Sequence, residues 1–357
     1  MIKLPPRRFT RSQLAGRSSP AFLAAQCGLT LVELMVAIAL GLLVLAALTA
    51  LFVNTSANRR EIDRAAGILE NGRYALSVLR DDLALAGYYG TLATPAGTVA
   101  TTSCSNSVAD WSDSLTFHVR GSNQNDTNLD ACFSGTTLPP RKADSDAIVI
   151  YRASTCVSGP TAETGCDPKT SSASEAYIQV SECGSEYVTT PFVLDLGSAA
   201  TFATLKKRLA GGIACDVNGT APIRRFYKSL YYVDTSNNLV RADMVAAAVA
   251  GTPAYTVTTL ADGIENIQFQ YGFDTNNDGT ADEFHQSPGA CSTACTWSDA
   301  MGVRIWILVR APTATPGYSN DKELVMDDYS VTPSDSFKRH VFSSYIGFVN
   351  SSGRRFK

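Results

Sequence analysis

Between Leu29 and Pro95 the sequence has no proline, and from Leu34 to Val53 it has no charged residue. The first absence removes the commonest interruption of a helix over that stretch. The second leaves an uncharged run about 30 Å long as a helix, which matches the hydrocarbon core of a bilayer. No Asp or Glu precedes Glu33, whereas Lys3, Arg7, Arg8, Arg11 and Arg17 all lie before Gly28. That leading segment should stay on the cytoplasmic side. Histidine is scarce, with only His118, His285 and His340. No phosphate loop, metal-protease helix or nucleophile elbow occurs, so the sequence gives no ground for an enzyme. Basic residues are scattered, and without a basic stripe or an aromatic-basic motif no nucleic-acid partner is expected.

What is present is one carboxylate, Glu33, just inside the apolar run. An ionisable group there costs about 2.5 kcal/mol at the bilayer centre and somewhat less near an end, so it asks for a partner. The surrounding segment is Gly28-Leu29-Thr30-Leu31-Val32-Glu33-Leu34. A basic leader ending in Gly, then an apolar residue, Thr-Leu, and Glu five positions after the Gly resembles a type IV prepilin, with Leu29 where Phe is usual. The resemblance implies cleavage between Gly28 and Leu29 by a prepilin peptidase, methylation of the new amine, and Glu33 as fifth mature residue. Glu33 would then meet the N-terminal amine of a neighbouring subunit and fix its axial register. A secretory signal peptide fits less well, because its apolar core should be about 7–15 residues long and end at a small-residue cleavage site. A lipoprotein signal built on Cys27 lacks the small residue before it, where Gln26 stands. An uncleaved signal anchor is the plain alternative.

Removing five leader cations leaves 25 basic against 33 acidic residues, a formal charge of −8, and enough chain for a sizeable core. Eight of the nine cysteines lie beyond the helix: Cys104, Cys132, Cys156, Cys166, Cys183, Cys215, Cys291 and Cys295. An even number in an exported domain points to disulfides, and eight cysteines allow 105 pairings. Pairing each with its sequence neighbour is preferred, since each such pair brackets a polar segment. A zinc site lacks CxxC spacing and a histidine cluster.

Beyond Val53 the apolar stripe narrows to Ile62, Leu69, Leu76 and Leu83, with Ala66, Leu79 and Ala86 beside them. This half should pack on a globular head, and Gly87 should end it. Asp81-Asp82 reads as a solvated face. The run LENGRYALSVLRDDLALAGYYG, Leu69 to Gly90, narrows the resemblance to PilW-like minor pilins.

After Gly90 the pattern turns to β. Strands are expected at Leu115–Val119, Ala147–Arg152, Tyr177–Val180, Phe226–Val233, Ile267–Phe273, Val303–Arg310 and His340–Phe348, rich in aromatic and β-branched residues. Val233 to Leu239 reads as a hairpin connection, and 95–108 and 153–175 as surface loops. The fold class is α+β, a long N-terminal helix whose second half lies on an antiparallel sheet with disulfide-pinned loops. The expected division is a leader over 1–28, a transmembrane half-helix over 29–53, a periplasmic half-helix over 54–90 and a head over 91–357.

One loop has a cation-binding pattern. Asp274, Asn276, Asp278, Thr280 and Asp282 alternate around the turn residue Gly279, which suits calcium. The twelfth position is His285 rather than Glu, and a strand precedes the loop, so the pattern departs from a helix–loop–helix EF-hand. An Asx-rich turn without metal is the alternative.

The expected function is a minor pilin that helps prime a type IV pilus and enters near the fibre tip, the last two features being implied by the resemblance. Its partners would be the prepilin peptidase, other minor and major pilins, and the inner membrane before assembly, with the head periplasmic and later on the cell surface. The alternatives are a J-like pseudopilin of type II secretion, or an anchored exported enzyme or binding protein that does not polymerise.

Overall fold

The computed structural model describes residues 30–93, 103–123, 129–158, 166, 174–197 and 204–355. The chain forms two compact units, Met1–Arg59 and Arg60–Lys357. Helix α1, Leu31–Ala84, contributes to both. In the first unit its apolar side chains are exposed, Leu31, Leu43 and Phe52 among them. The single hydroxyl in the uncharged run, Thr49, donates to the Leu45 carbonyl at 2.7 Å, so it brings no unsatisfied donor into that run.

The second unit holds an antiparallel sheet of seven strands: β1 (Val119–Ser122), β2 (Ala147–Ala153), β3 (Ala176–Val180), β4 (Phe192–Leu196), β7 (Ile223–Val233), β8 (Asn238–Met244) and β9 (Tyr255–Asp262). Strands β5 (Lys206–Arg208) and β6 (Cys215–Thr220) form a separate hairpin. The strand order is β1-β2-β7-β3-β4, and β8 joins β7 to β9. A four-stranded sheet follows in the order β11-β10-β12-β15, from β10 (Ile264–Phe273), β11 (Glu283–His285), β12 (Ala300–Arg310) and β15 (Arg339–Gly347). A small hairpin pairs β13 (Leu324–Met326) with β14 (Tyr329–Val331). Short helices α2 (Val108–Asp113), α3 (Asp130–Phe133) and α4 (Gly184–Thr189) lie in the connections, and α5 (Val349–Arg355) follows β15.

Period-two alternation divides the core. Ile148, Ile150, Tyr231 and Val233 enter one cluster with Leu79 and Leu83 of α1 and with Ile267 and Phe269 of β10. Their neighbours Val149, Tyr151, Leu230 and Tyr232 enter another with Tyr89 and Trp111. Strand β2 is therefore covered on both faces, which explains why Ala147 to Tyr151 reads as an unbroken apolar run. Disulfides join Cys104 to Cys132, Cys156 to Cys166, Cys183 to Cys215 and Cys291 to Cys295.

Three local expectations need correction. The buried stripe of α1 is Ile68, Gly72, Ala75, Leu79 and Leu83, while Ile62 and Leu69 are exposed and Leu76 is half-buried. A seven-residue repeat drifts by about 20° per heptad on a straight helix, so the sheet meets a different line of residues. Gly72 belongs to that line because an added Cβ would stand 2.2 Å from the Phe342 ring. Residues 114–118 form a turn after α2, and β1 starts only at Val119. Asp82 is not solvated: it is buried, lies 2.8 Å from Arg152, and accepts from the Tyr231 hydroxyl. Its neighbour Asp81 is exposed.

The C-terminal end of α1 is closed by distant residues. Gly87 takes a left-handed φ of 72°, and its N–H reaches the Tyr151 carbonyl at 2.9 Å. Asn350 of α5 donates to the carbonyls of Ala84 and Ala86, each at 3.2 Å. Arg354 donates to the Gly87 carbonyl. Carbonyls that a helix end leaves without intrahelical partners are thus satisfied by α5, with a cation placed where the helix dipole favours one.

Candidate assembly site at the helix N-terminus

Gly28 and Leu29 lie outside the described residues. Thr30 and Glu33 form the first turn of α1. The Glu33 N–H donates to Thr30 Oγ1 at 3.2 Å, and the Thr30 N–H donates to Glu33 Oε2 at 3.4 Å. This reciprocal pair is a capping box, and it satisfies two of the donors that every helix N-terminus leaves open. The carboxylate also sits at the positive end of the helix dipole. Glu33 therefore has a local reason for its place as well as an intermolecular one. Oε2 is engaged by Thr30, and among the described residues no hydrogen bond goes to Oε1. The Thr-x-x-Glu spacing is legible in the sequence alone.

The loop Asp274–Asp282 gathers all five proposed metal ligands, but their oxygens are directed largely at the loop itself. Asp274 is buried, and its carboxylate accepts from the N–H groups of Asn277 at 2.6 Å, Asp278 at 3.2 Å and Gly279 at 2.9 Å. Asp278 Oδ1 accepts from the Thr280 N–H at 2.8 Å and Asp282 Oδ2 from the Thr275 N–H at 2.9 Å, while Asn276 donates to Asp282 Oδ1 at 3.1 Å. Hydrogen bonds from Thr280 hold the Asp278 carboxyl below its ordinary pKa. The Arg355 guanidinium stands 3.1 Å from Asp274 Oδ2. The donor set fits a hard cation in kind, yet its first member already has a cationic partner. Among the described residues no group of three or more His, Cys, Asp and Glu side chains is arranged to hold a metal.

Two buried ionisable groups lie in the head, His118, which the sequence marks as structural, and Lys228, which sequence reasoning missed. His118 bridges Ala300 and α5, with Nε2 2.7 Å from the Ala300 carbonyl and Nδ1 3.3 Å from Ser351 Oγ. Burial pushes its pKa down to about 3, so the ring is neutral. Lys228 donates to the Ser105 carbonyl at 2.8 Å and lies over the rings of Trp111 and Tyr151. Burial lowers its pKa to about 7. The sequence signal for Lys228 was a lone cation in the run Phe226–Val233.

Residues 23–49 match the prokaryotic N-terminal methylation motif. With the charge-free run from Leu34 to Val53 and a capped glutamate in the first turn of α1, this defines the class as type IV pilins. Residues 230–350 match PilW, the type IV pilus-assembly protein W family, and the chain is a PilW-like minor pilin involved in pilus assembly. No curated protein and no solved structure matches it. The PilW match begins within β7 and ends within α5, so it covers β10, β12 and β15 of the core shared with α1 but not β1 or β2.

Proposed function

We propose that the protein primes pilus assembly and is incorporated near the fibre tip as a non-catalytic subunit. The observation that carries this reading is Glu33, a carboxylate held by its own helix cap at the start of a helix whose next twenty residues are uncharged and exposed. Such a helix can lie in lipid as a precursor and later pack among like helices. Cleavage before Leu29 would leave a positive amine one helical turn from Glu33, and the Glu33 carboxylate would receive the amine of an adjoining subunit. Processing by the prepilin peptidase and association with other pilins follow from the methylation motif. Membrane anchoring follows in the same way, with the head on the periplasmic side in the proposed arrangement.

Mass spectrometry of the protein isolated from its host tests this directly. A mature chain starting at a methylated Leu29 is expected, and a Gly28→Phe variant should keep its leader. A wild-type chain that retains residues 1–28 would overturn the reading in favour of a static anchor.

Calcium at the Asp274–Asp282 loop is a separate proposal, carried by the order of its oxygen donors. Binding there exchanges the Arg355 guanidinium at Asp274 for the ion.

A further inference from the structure

Strand β9, Tyr255–Asp262, is the outer strand on its side of the seven-stranded sheet and pairs only with β8. Thr256, Val257, Thr258 and Thr259 are all exposed. No charged residue, proline or glycine lies between Tyr255 and Ala261. Natural edge strands are usually guarded by lysine, proline, shortness or cover, because their free N–H and C=O groups invite another strand. Three of the other edges are short. Strands β1, β4 and β11 have four, five and three residues. Strand β15 opens with Arg339, tied to Glu265 and Asp335.

The register shows which groups of β9 are free. The Val245 N–H donates to the Ala254 carbonyl at 2.8 Å, just before β9. Pairing continues as Tyr255 with Met244, Thr256 with Asp243, Val257 with Ala242, Thr258 with Arg241 and Thr259 with Val240. Hydrogen-bonded and non-hydrogen-bonded pairs alternate in an antiparallel ladder. Thr256 and Thr258 therefore turn their backbone groups toward β8, and Tyr255, Val257 and Thr259 turn theirs outward. Among the described residues no strand or loop takes up that outer row.

We infer that β9 is a docking edge that accepts an extended strand from the head of another pilin. A row of N–H and C=O groups repeating every second residue is matched along its length only by a second polypeptide strand, since lipid and sugar lack that spacing. The exposed Thr and Val side chains on both faces favour an uncharged, β-branched partner segment. The identity of the partner rests on the pilin reading: a minor subunit has other pilins as neighbours. Helix association then holds the heads at high effective concentration, so a short edge suffices.

The test uses the full chain in detergent, with the other full-length pilins of the same cell, purified in the same detergent, as the probe. Hydrogen exchange at Tyr255, Val257 and Thr259 should slow at least tenfold on complex formation. Val257→Pro removes an outward N–H without touching the β8 ladder, and it should weaken the complex at least tenfold, whereas Val257→Thr should bind as wild type. Unchanged α1 and β8 protection in the Pro variant verifies its fold. A complex that forms without protection of β9, or one indifferent to Val257→Pro, overturns the docking edge and leaves the pilin reading standing. Absence of any complex with the wild type overturns both. Protection that appears with concentration in the protein alone assigns the edge to a second copy instead.

Discussion

Arg355 and Asp274, eighty-one residues apart, meet at 3.1 Å, and the Asp274 side chain has no exposed surface. Arg355 also reaches Asp299 and the Ser298 carbonyl. One guanidinium therefore joins α5 to the loop after β10 and to the start of β12.

Removing that guanidinium leaves a buried carboxylate with only backbone donors. Arg355→Met should lower the stability of the head by about 2 kcal/mol, within the range for a buried charge that loses its partner. Under the calcium proposal, the ion takes the vacated place, so calcium should raise the melting temperature of Arg355→Met more than that of wild type. Asp278→Ala should remove the response. Identical melting curves in calcium and chelator for both proteins would reduce the loop to an Asx-rich turn.

His118 predicts an acid-sensitive head. Its pKa in the fold is about 3, whereas an unfolded histidine titrates near about 6.5. Between these values unfolding takes up a proton, so stability falls as the pH is lowered through the window. From pH 6.5 to 5 the loss from this group should be about 2 kcal/mol at about 1.4 kcal/mol per pH unit. His118→Gln keeps a hydrogen-bonding side chain and cannot titrate, and denaturant melts at the two pH values should show a shallower slope. An unchanged slope would mean that other groups account for the acid response.

Gly67 and Gly72 should respond in opposite directions to the same substitution. An added Cβ at Gly67 meets nothing within 4 Å, whereas at Gly72 it runs into the Phe342 ring. Gly67→Ala should stabilise the head by up to about 1 kcal/mol through helix propensity. Gly72→Ala should destabilise it by about 1 kcal/mol net, because overpacking outweighs that gain. Thermal melting of the two variants decides the matter, and equal signs would contradict the packing described for α1.

Glu33→Ala should leave processing and head folding intact, since among the described residues the hydrogen bonds of Glu33 go to Thr30. Incorporation into sheared pili should drop at least tenfold relative to the processed membrane pool. Incorporation equal to wild type would remove Glu33 from the register of the fibre.

Much of this architecture was legible because its signals are local. A proline-free stretch marked one helix, and aromatic and β-branched runs marked the strands β7, β10 and β12. The contact stripe of α1 was less legible, since heptad spacing picks Ile62 and Leu69 while the sheet takes Ile68, Gly72 and Leu79. Asp82 stands three residues after Leu79, on the buried face, but its partners Arg152, Tyr231 and Arg241 come from strands far along the chain. No local pattern predicts such a cluster. Arg355 is hidden for the same reason, as nothing in a short basic helix says which carboxylate it will meet.

The closure of α1 by α5 sets an order of events for the growing chain. Helix α1 emerges early, and its terminal carbonyls, the His118 ring and the Asp274 carboxylate all wait for residues 349–355. The head is thus latched by its last helix: Asn350 serves the α1 carbonyls, Ser351 the His118 ring and Arg355 the Asp274 carboxylate. A nonsense codon at Val349 removes α5 with the two residues after it and unlatches all three at once, which makes this segment more costly to lose than its size suggests.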